Sequence, residues 1–140
     1  MALFALALAL SLTAAACGGG DDDGDGGDGG GGGTITIGGD EANDHGTESI
    51  AGKDEVELEA DDFYFGPTVL EGEAGQTFKI DIENESSSLH SFTVDDLGID
   101  EDIAAEETTE VEITLPDSGD VVFYCKYHKT QGMIGEITVG

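Results

Sequence analysis

From Asp54 onward, apolar and polar residues alternate with a period of two. Val56, Leu58 and Ala60 alternate with Glu55, Glu57 and Glu59; Phe78, Ile80 and Ile82 with Lys79, Asp81 and Glu83; Val111, Ile113 and Leu115 with Glu110, Glu112 and Thr114. Side chains point alternately to the two faces of a strand, so each stretch predicts a strand with one buried and one solvated face. Turn residues separate them at Gly66-Pro67, Gly72 to Gly75, Leu97-Gly98 and Pro116 to Gly119. Shorter strands are expected at Phe63 to Phe65, Thr68 to Leu70, His90 to Val94, Val121 to Cys125 and Met133 to Val139, and only Ile103 to Glu107 hints at a helical turn. About eight short strands of one-sided polarity predict an all-β fold, an antiparallel Greek-key β-sandwich, over residues 55–140.

The chain before that point reads differently. Residues 1–16, MALFALALALSLTAAA, form an apolar run too short to span a bilayer and ending in small residues, as in a secretory signal peptide. Cys17 follows at once, and LTAAAC resembles a bacterial lipobox, which implies cleavage before Cys17 and a lipid on its sulfur; ordinary secretion with cleavage nearby is the alternative. Either way the domain is exported, and the lipid would hold it on the outer face of the cytoplasmic membrane or in the periplasm. Gly18 to Gly33 contain only Gly and Asp, and residues 17–54 are expected to form a flexible acidic tether. The spacing of Asp21, Asp23, Asp25 and Gly26 imitates the start of a calcium loop, but Gly32 stands where its bidentate Glu is required. Thr34 to Ile37 alternate, though four residues in a Gly-rich context do not establish a strand. His45 is expected to be solvent-exposed and not a ligand.

Charge narrows the partners. With 32 Asp and Glu against 4 Lys, the net charge is -28, which excludes nucleic acid and anionic membrane surfaces and favours cationic partners. Solubility or adaptation to high salt accounts for so much acid equally well.

The candidate chemistry is concentrated in Val121 to Gly140, VVFYCKYHKTQGMIGEITVG, where Cys125, His128 and Met133 share one loop between two expected strands. Soft sulfur with imidazole suits copper, and a Cys with two His and a weak Met is the ligand set of an electron-transfer copper site. If Cys17 is lipidated or removed, Cys125 is a lone thiol outside the cytoplasm, a liability unless buried or metal-bound. In SSSLHSFTVDD the strand parity puts His90, Phe92 and Val94 on the inward face, so His90 is available as the second imidazole. Taken singly, an inward Cys, Met or His is ordinarily a core residue. Together they make the Cys-x2-His-x4-Met spacing a copper site with one copper per chain.

At these residues the chain resembles the cupredoxins, small blue copper proteins of the plastocyanin, pseudoazurin and halocyanin kind. The resemblance covers roughly Val56 to Gly140 and is sharpest in GDVVFYCKYHKTQGMIGEITV. It implies His90, Cys125 and His128 as near-trigonal copper ligands and Met133 as the long axial one. Ser91 stands where Asn commonly follows the first His and locks the ligand loops, and Tyr127 where Pro often precedes the second. The resemblance implies a monomeric one-electron carrier with no catalytic site of its own, serving redox proteins such as a cytochrome, oxidase or reductase with cationic docking surfaces. A copper-binding module for trafficking or sequestration uses similar ligands and stays open as the alternative. Val121 to Ile134 carries no acid, so partners are expected to approach over His128, Gly132 and Ile134, flanked by Lys126 and Lys129.

Overall fold

The three longest alternating stretches become three adjacent strands of the computed structural model, which describes residues 32–140. β4 (Glu55–Asp61), β7 (Thr77–Asn84) and β10 (Thr108–Thr114) run side by side, and β5 (Tyr64–Gly66) completes a sheet in the order β10-β7-β4-β5. Register follows the alternation: Ile80 lies between Val56 and Val111 on the inner face, and Asp81 between Glu57 and Glu110 on the outer. The facing sheet runs β3 (Thr47–Ser49), β6 (Val69–Gly72), β12 (Ile134–Val139), β11 (Val121–Tyr124), β8 (His90–Val94), β9 (Ile99–Ile103). The two sheets close over one apolar core, in which Phe65, Phe92 and Phe123 pack with ring centroids 5.1 to 6.3 Å apart. Offset and edge-on aromatic contacts at such separations each add about 0.5–1.5 kcal/mol beyond area burial.

The all-β sandwich expectation is met, and each of the eight expected strands is present. Its sheets are mixed: β4 pairs β7, and β6 pairs both β3 and β12, in parallel. Four more strands, β1 (Gly33–Ile37), β2 (Asp40–Asp44), β3 and β9, bring the number among the described residues to twelve. Ile103 to Glu107, expected as a helical turn, is the end of β9 followed by a turn in which the Glu107 N–H donates to the Ala104 carbonyl.

The tether expectation for residues 17–54 is corrected over its second half. β1 and β2 form an antiparallel hairpin that buries Ile37 and Ala42 against Ile134, and Ile50 lies in the main core. These few apolar side chains suffice because they add to a sandwich that is already built, rather than founding a core of their own. The folded unit therefore takes in residues 33–54, beyond the expected 55–140. The expected signal segment, Cys17 and the first part of the tether lie outside the described residues. Among the described residues, no helix is long and apolar enough to cross a membrane.

Candidate metal centre

The spacing Cys-x2-His-x4-Met is resolved by two successive tight turns at the end of β11. The His128 N–H donates to the Cys125 carbonyl (3.1 Å), which folds the imidazole back toward the thiol three residues behind it. A single 3-10 turn, Lys129–Gln131, follows and ends at Gly132, whose φ of 89° is left-handed and suits a residue without Cβ. The chain thereby returns antiparallel to itself. The Met133 carbonyl accepts from the Cys125 N–H (3.0 Å), and the Met133 N–H donates to the His128 carbonyl (3.3 Å). Cys125, His128 and Met133 are thus tied to one another through backbone before any metal is considered.

The upstream histidine arrives from β8, which neighbours β11 in the sheet. His90 is fully buried, and its Nδ1 lies 3.2 Å from His128 Nδ1 and 3.9 Å from Cys125 Sγ; His128 Nδ1 is 3.5 Å from the same sulfur. One donor atom from each of the three residues falls within 4.8 Å of the others, which is the span one cation needs. Met133, also fully buried, stands immediately before β12 and offers a thioether. Thiolate, two imidazoles and a thioether form the donor set that copper favours, so the residues present fit that ion.

The far side of His90 explains which nitrogen is free. Its Nε2 lies 3.0 Å from Ser86 Oγ and 3.2 Å from Asp62 Oδ1. Ser86 Oγ donates its proton to Asn84 Oδ1 (2.8 Å), so toward the imidazole it accepts, and Nε2 carries the hydrogen. Nδ1 is left with its lone pair turned toward Cys125. This carboxylate–histidine pairing fixes a ligand's tautomer and raises its basicity. Burial first, and His128 second, hold the His90 imidazole below its ordinary pKa despite the opposing pull of Asp62, which keeps the ring neutral and able to ligate near pH 7.

Ser91 does not leave the ligand loops loose. Its N–H points at Cys125 Sγ (3.4 Å), its Oγ accepts from the Lys126 N–H (2.8 Å), and the same Oγ meets Thr93 Oγ1 (3.0 Å). Strand parity places Ser91 and Thr93 on the face opposite His90, yet both are buried as well. His45, expected to be exposed, is half-buried and stacked on Tyr64 with ring centroids 3.4 Å apart, and it stands outside the metal cluster.

The expected docking face is corrected by the hairpin. Ile134 is 1% exposed beneath β1 and β2, so it offers no surface to a partner. Gly132 is half-buried against Asn43, and neither lysine stands free. Lys126 Nζ lies 2.8 Å from both Asp100 and Asp102, while Lys129 Nζ sits over the Tyr124 ring and 3.6 Å from Asp40. Apolar side chains also border the half-buried His128. The Phe63 ring lies 4.6 Å from the imidazole, and Leu89 and Tyr127, each immediately before a ligand histidine, are both 45% exposed. Asp62, Ser86 and Phe63 were not foreseen as parts of the site, because no pattern in the sequence links them to His90 or His128.

The comparisons with known proteins agree with this construction. Residues 39–139 match the family described as cupredoxin-like domain. Plastocyanin A/B of Petroselinum crispum is 31% identical over 97 residues, covering 61% of this chain and 98% of that protein. The metal-binding domain of the Cu(I)-exporting P-type ATPase of Streptococcus pneumoniae D39 superposes with a TM-score of 0.59 at 17% identity, covering 69% of this chain and 97% of that one. Auracyanin of Roseiflexus castenholzii superposes with a TM-score of 0.54 at 16% identity, covering 63% of this chain and 98% of that one. These two structures share the fold. With a family match across most of its length, laid over a sandwich that gathers a thiol and two imidazoles within the span of one cation, this chain belongs to the cupredoxin-like family.

Proposed function

We propose that the protein is a one-electron carrier that holds a single copper through His90, Cys125, His128 and Met133. The observation that carries the reading is the convergence of His90 Nδ1, Cys125 Sγ and His128 Nδ1 at the end of the sandwich where Met133 is also buried. Copper bound there would supply reversible Cu(I)/Cu(II) chemistry. The chain's own part is to hold the donors still. The backbone bonds among Cys125, His128 and Met133, with the Ser86 and Asp62 contacts to His90, fix four ligands without help from the metal, which favours a redox change with little rearrangement. A four-residue donor set also leaves no position for a substrate, which argues against catalysis by this domain alone.

Electrons would pass over His128 through the patch of Leu89, Tyr127 and Phe63, with Asp100 and Asp102 at its rim facing a redox partner of opposite charge. Export and a lipid on Cys17 belong to the same proposal, and mass spectrometry of the exported protein checks the lipid.

Adding Cu(II) to the purified protein is expected to give an intense thiolate-to-copper absorption that bleaches on reduction and returns on oxidation. Cys125→Ser is expected to abolish the colour and His45→Ala to leave it unchanged. A stoichiometric but colourless complex would favour trafficking or sequestration over electron transfer, and no copper uptake would remove both.

A further inference from the structure

Asn43 is bonded at every backbone and amide-donor group it has. It stands near the end of β2, and its N–H donates to the Gly132 carbonyl (2.9 Å), while its carbonyl accepts from Thr68 Oγ1 (3.0 Å). Its side-chain Nδ2 donates twice, to the Gln131 carbonyl (2.9 Å) and to the Phe63 carbonyl (2.8 Å). One residue thus joins the metal-binding loop, the turn that carries Phe63 beside His128, and the start of β6. Gly132 is shaped to receive it: a Cβ there would lie 2.8 Å from Asn43 Nδ2, so the missing side chain makes room for the amide as well as for the left-handed turn. Beside this contact, Ile37 and Ala42 of the same hairpin pack on Ile134, one residue beyond Met133.

We propose that Asn43 is a positioning residue for the copper loop, and that the β1–β2 hairpin is a strap holding Gln131 to Ile134 so that Met133 and His128 keep their places relative to Cys125. Rupture of the strap would free Gly132 and, through it, the Met133 carbonyl on which the Cys125 N–H depends. This inference rests on the electron-carrier reading for its consequence at the metal, but the mechanical coupling is a property of the copper-free chain.

Hydrogen exchange on the unmutated, copper-free protein is the first test. The amides of Asn43, Cys125 and Met133 are expected to open together, with one opening free energy and one denaturant dependence; independent opening of Cys125 and Met133 while Asn43 stays protected would overturn the strap. In Asn43→Ala, which loses two donors, exchange at Cys125 and Met133 is expected to quicken by roughly tenfold or more, beyond any change at Ile80 and Ile82 of β7. The Cu(II) form of that variant is expected to keep its colour with an altered absorption and electron paramagnetic resonance signature. Val111→Ala, which destabilises the distant β10, is expected to leave that signature unchanged. Colour with an unaltered signature and unaltered exchange in Asn43→Ala overturns the strap and leaves the copper reading standing; absence of colour in the unmutated protein overturns the copper reading while the exchange experiment still judges the strap.

Discussion

Glu136 sits partly buried in β12, its N–H donating to the Thr68 carbonyl (3.0 Å). Burial, with Asp120 adding to it, raises its carboxyl above the ordinary glutamate pKa. The folded state therefore holds the proton more tightly than the unfolded chain does. The associated stability is complete below the unfolded pKa and is lost as pH rises through the higher folded one. Charged Glu136 is a liability at neutral pH, so Glu136→Gln is expected to stabilise the protein at pH 7 by up to about 0.5 kcal/mol, read as a higher urea midpoint, with the gain vanishing near pH 4. An equal gain at both pH values would show that the charge is not the cause. Among single residues, the four ligands were legible because three share a short spacing and the fourth, His90, lies in phase with Phe92 and Val94. Asp62 and Asn43 were not, because a hydrogen bond between residues far apart in the chain leaves no periodicity to read, and Ser86, only four residues before His90, was not because it lies in a loop of consecutive serines with no strand parity to orient it.

At the level of elements, β11 and β12 meet where Phe123 faces Gly135 across the ladder. The Phe123 ring lies over the space a Gly135 side chain would need, and a Cβ there would also come within 2.7 Å of the Thr68 carbonyl oxygen. A backbone oxygen held in the β6 pairing cannot withdraw as a flexible side chain could. Gly135→Ala is therefore expected to cost about 1–3 kcal/mol, read as a lower urea midpoint in the copper-free protein; an unchanged midpoint would mean the ring and strand adjust freely. The strands that announced themselves most clearly, β4, β7 and β10, did so because one face of each is buried in the main core and the other is solvated, which imposes alternation. β1 to β3 gave a weaker signal. Their apolar residues, Ile35, Ile37 and Ala42, with Ile50 just beyond β3, are scattered among Gly and acid. β9 was hidden for a related reason: in IDEDI only Ile103 is fully buried, so its acids made it look like loop.

For the whole molecule, part of the net charge of -28 is carried in ordered rows among the described residues. Rows such as Glu57–Asp81–Glu110 cross the outer face of the four-stranded sheet, where Lys79 pairs with Glu110 (2.9 Å) and leaves the other acids to repel one another. Salt shortens the range of that repulsion to about 3 Å at 1 M. The copper-free protein is expected to melt at least about 5 °C higher in 1 M than in 0.02 M sodium chloride, on the order of 1 kcal/mol; a midpoint indifferent to salt would show that the rows are already neutralised. The order of strands within the facing sheet bears on time as well as place. β12, last in sequence, lies between β6 and β11, and it pairs in parallel with a strand more than sixty residues earlier. The proposed ligands Cys125, His128 and Met133 therefore gain their full surroundings only when β12 has paired with β6 as well as with β11, so folding should be slow for the chain's size and copper capture should follow that pairing. A chain caught before that step would present an unguarded thiol at Cys125 to any oxidant it met.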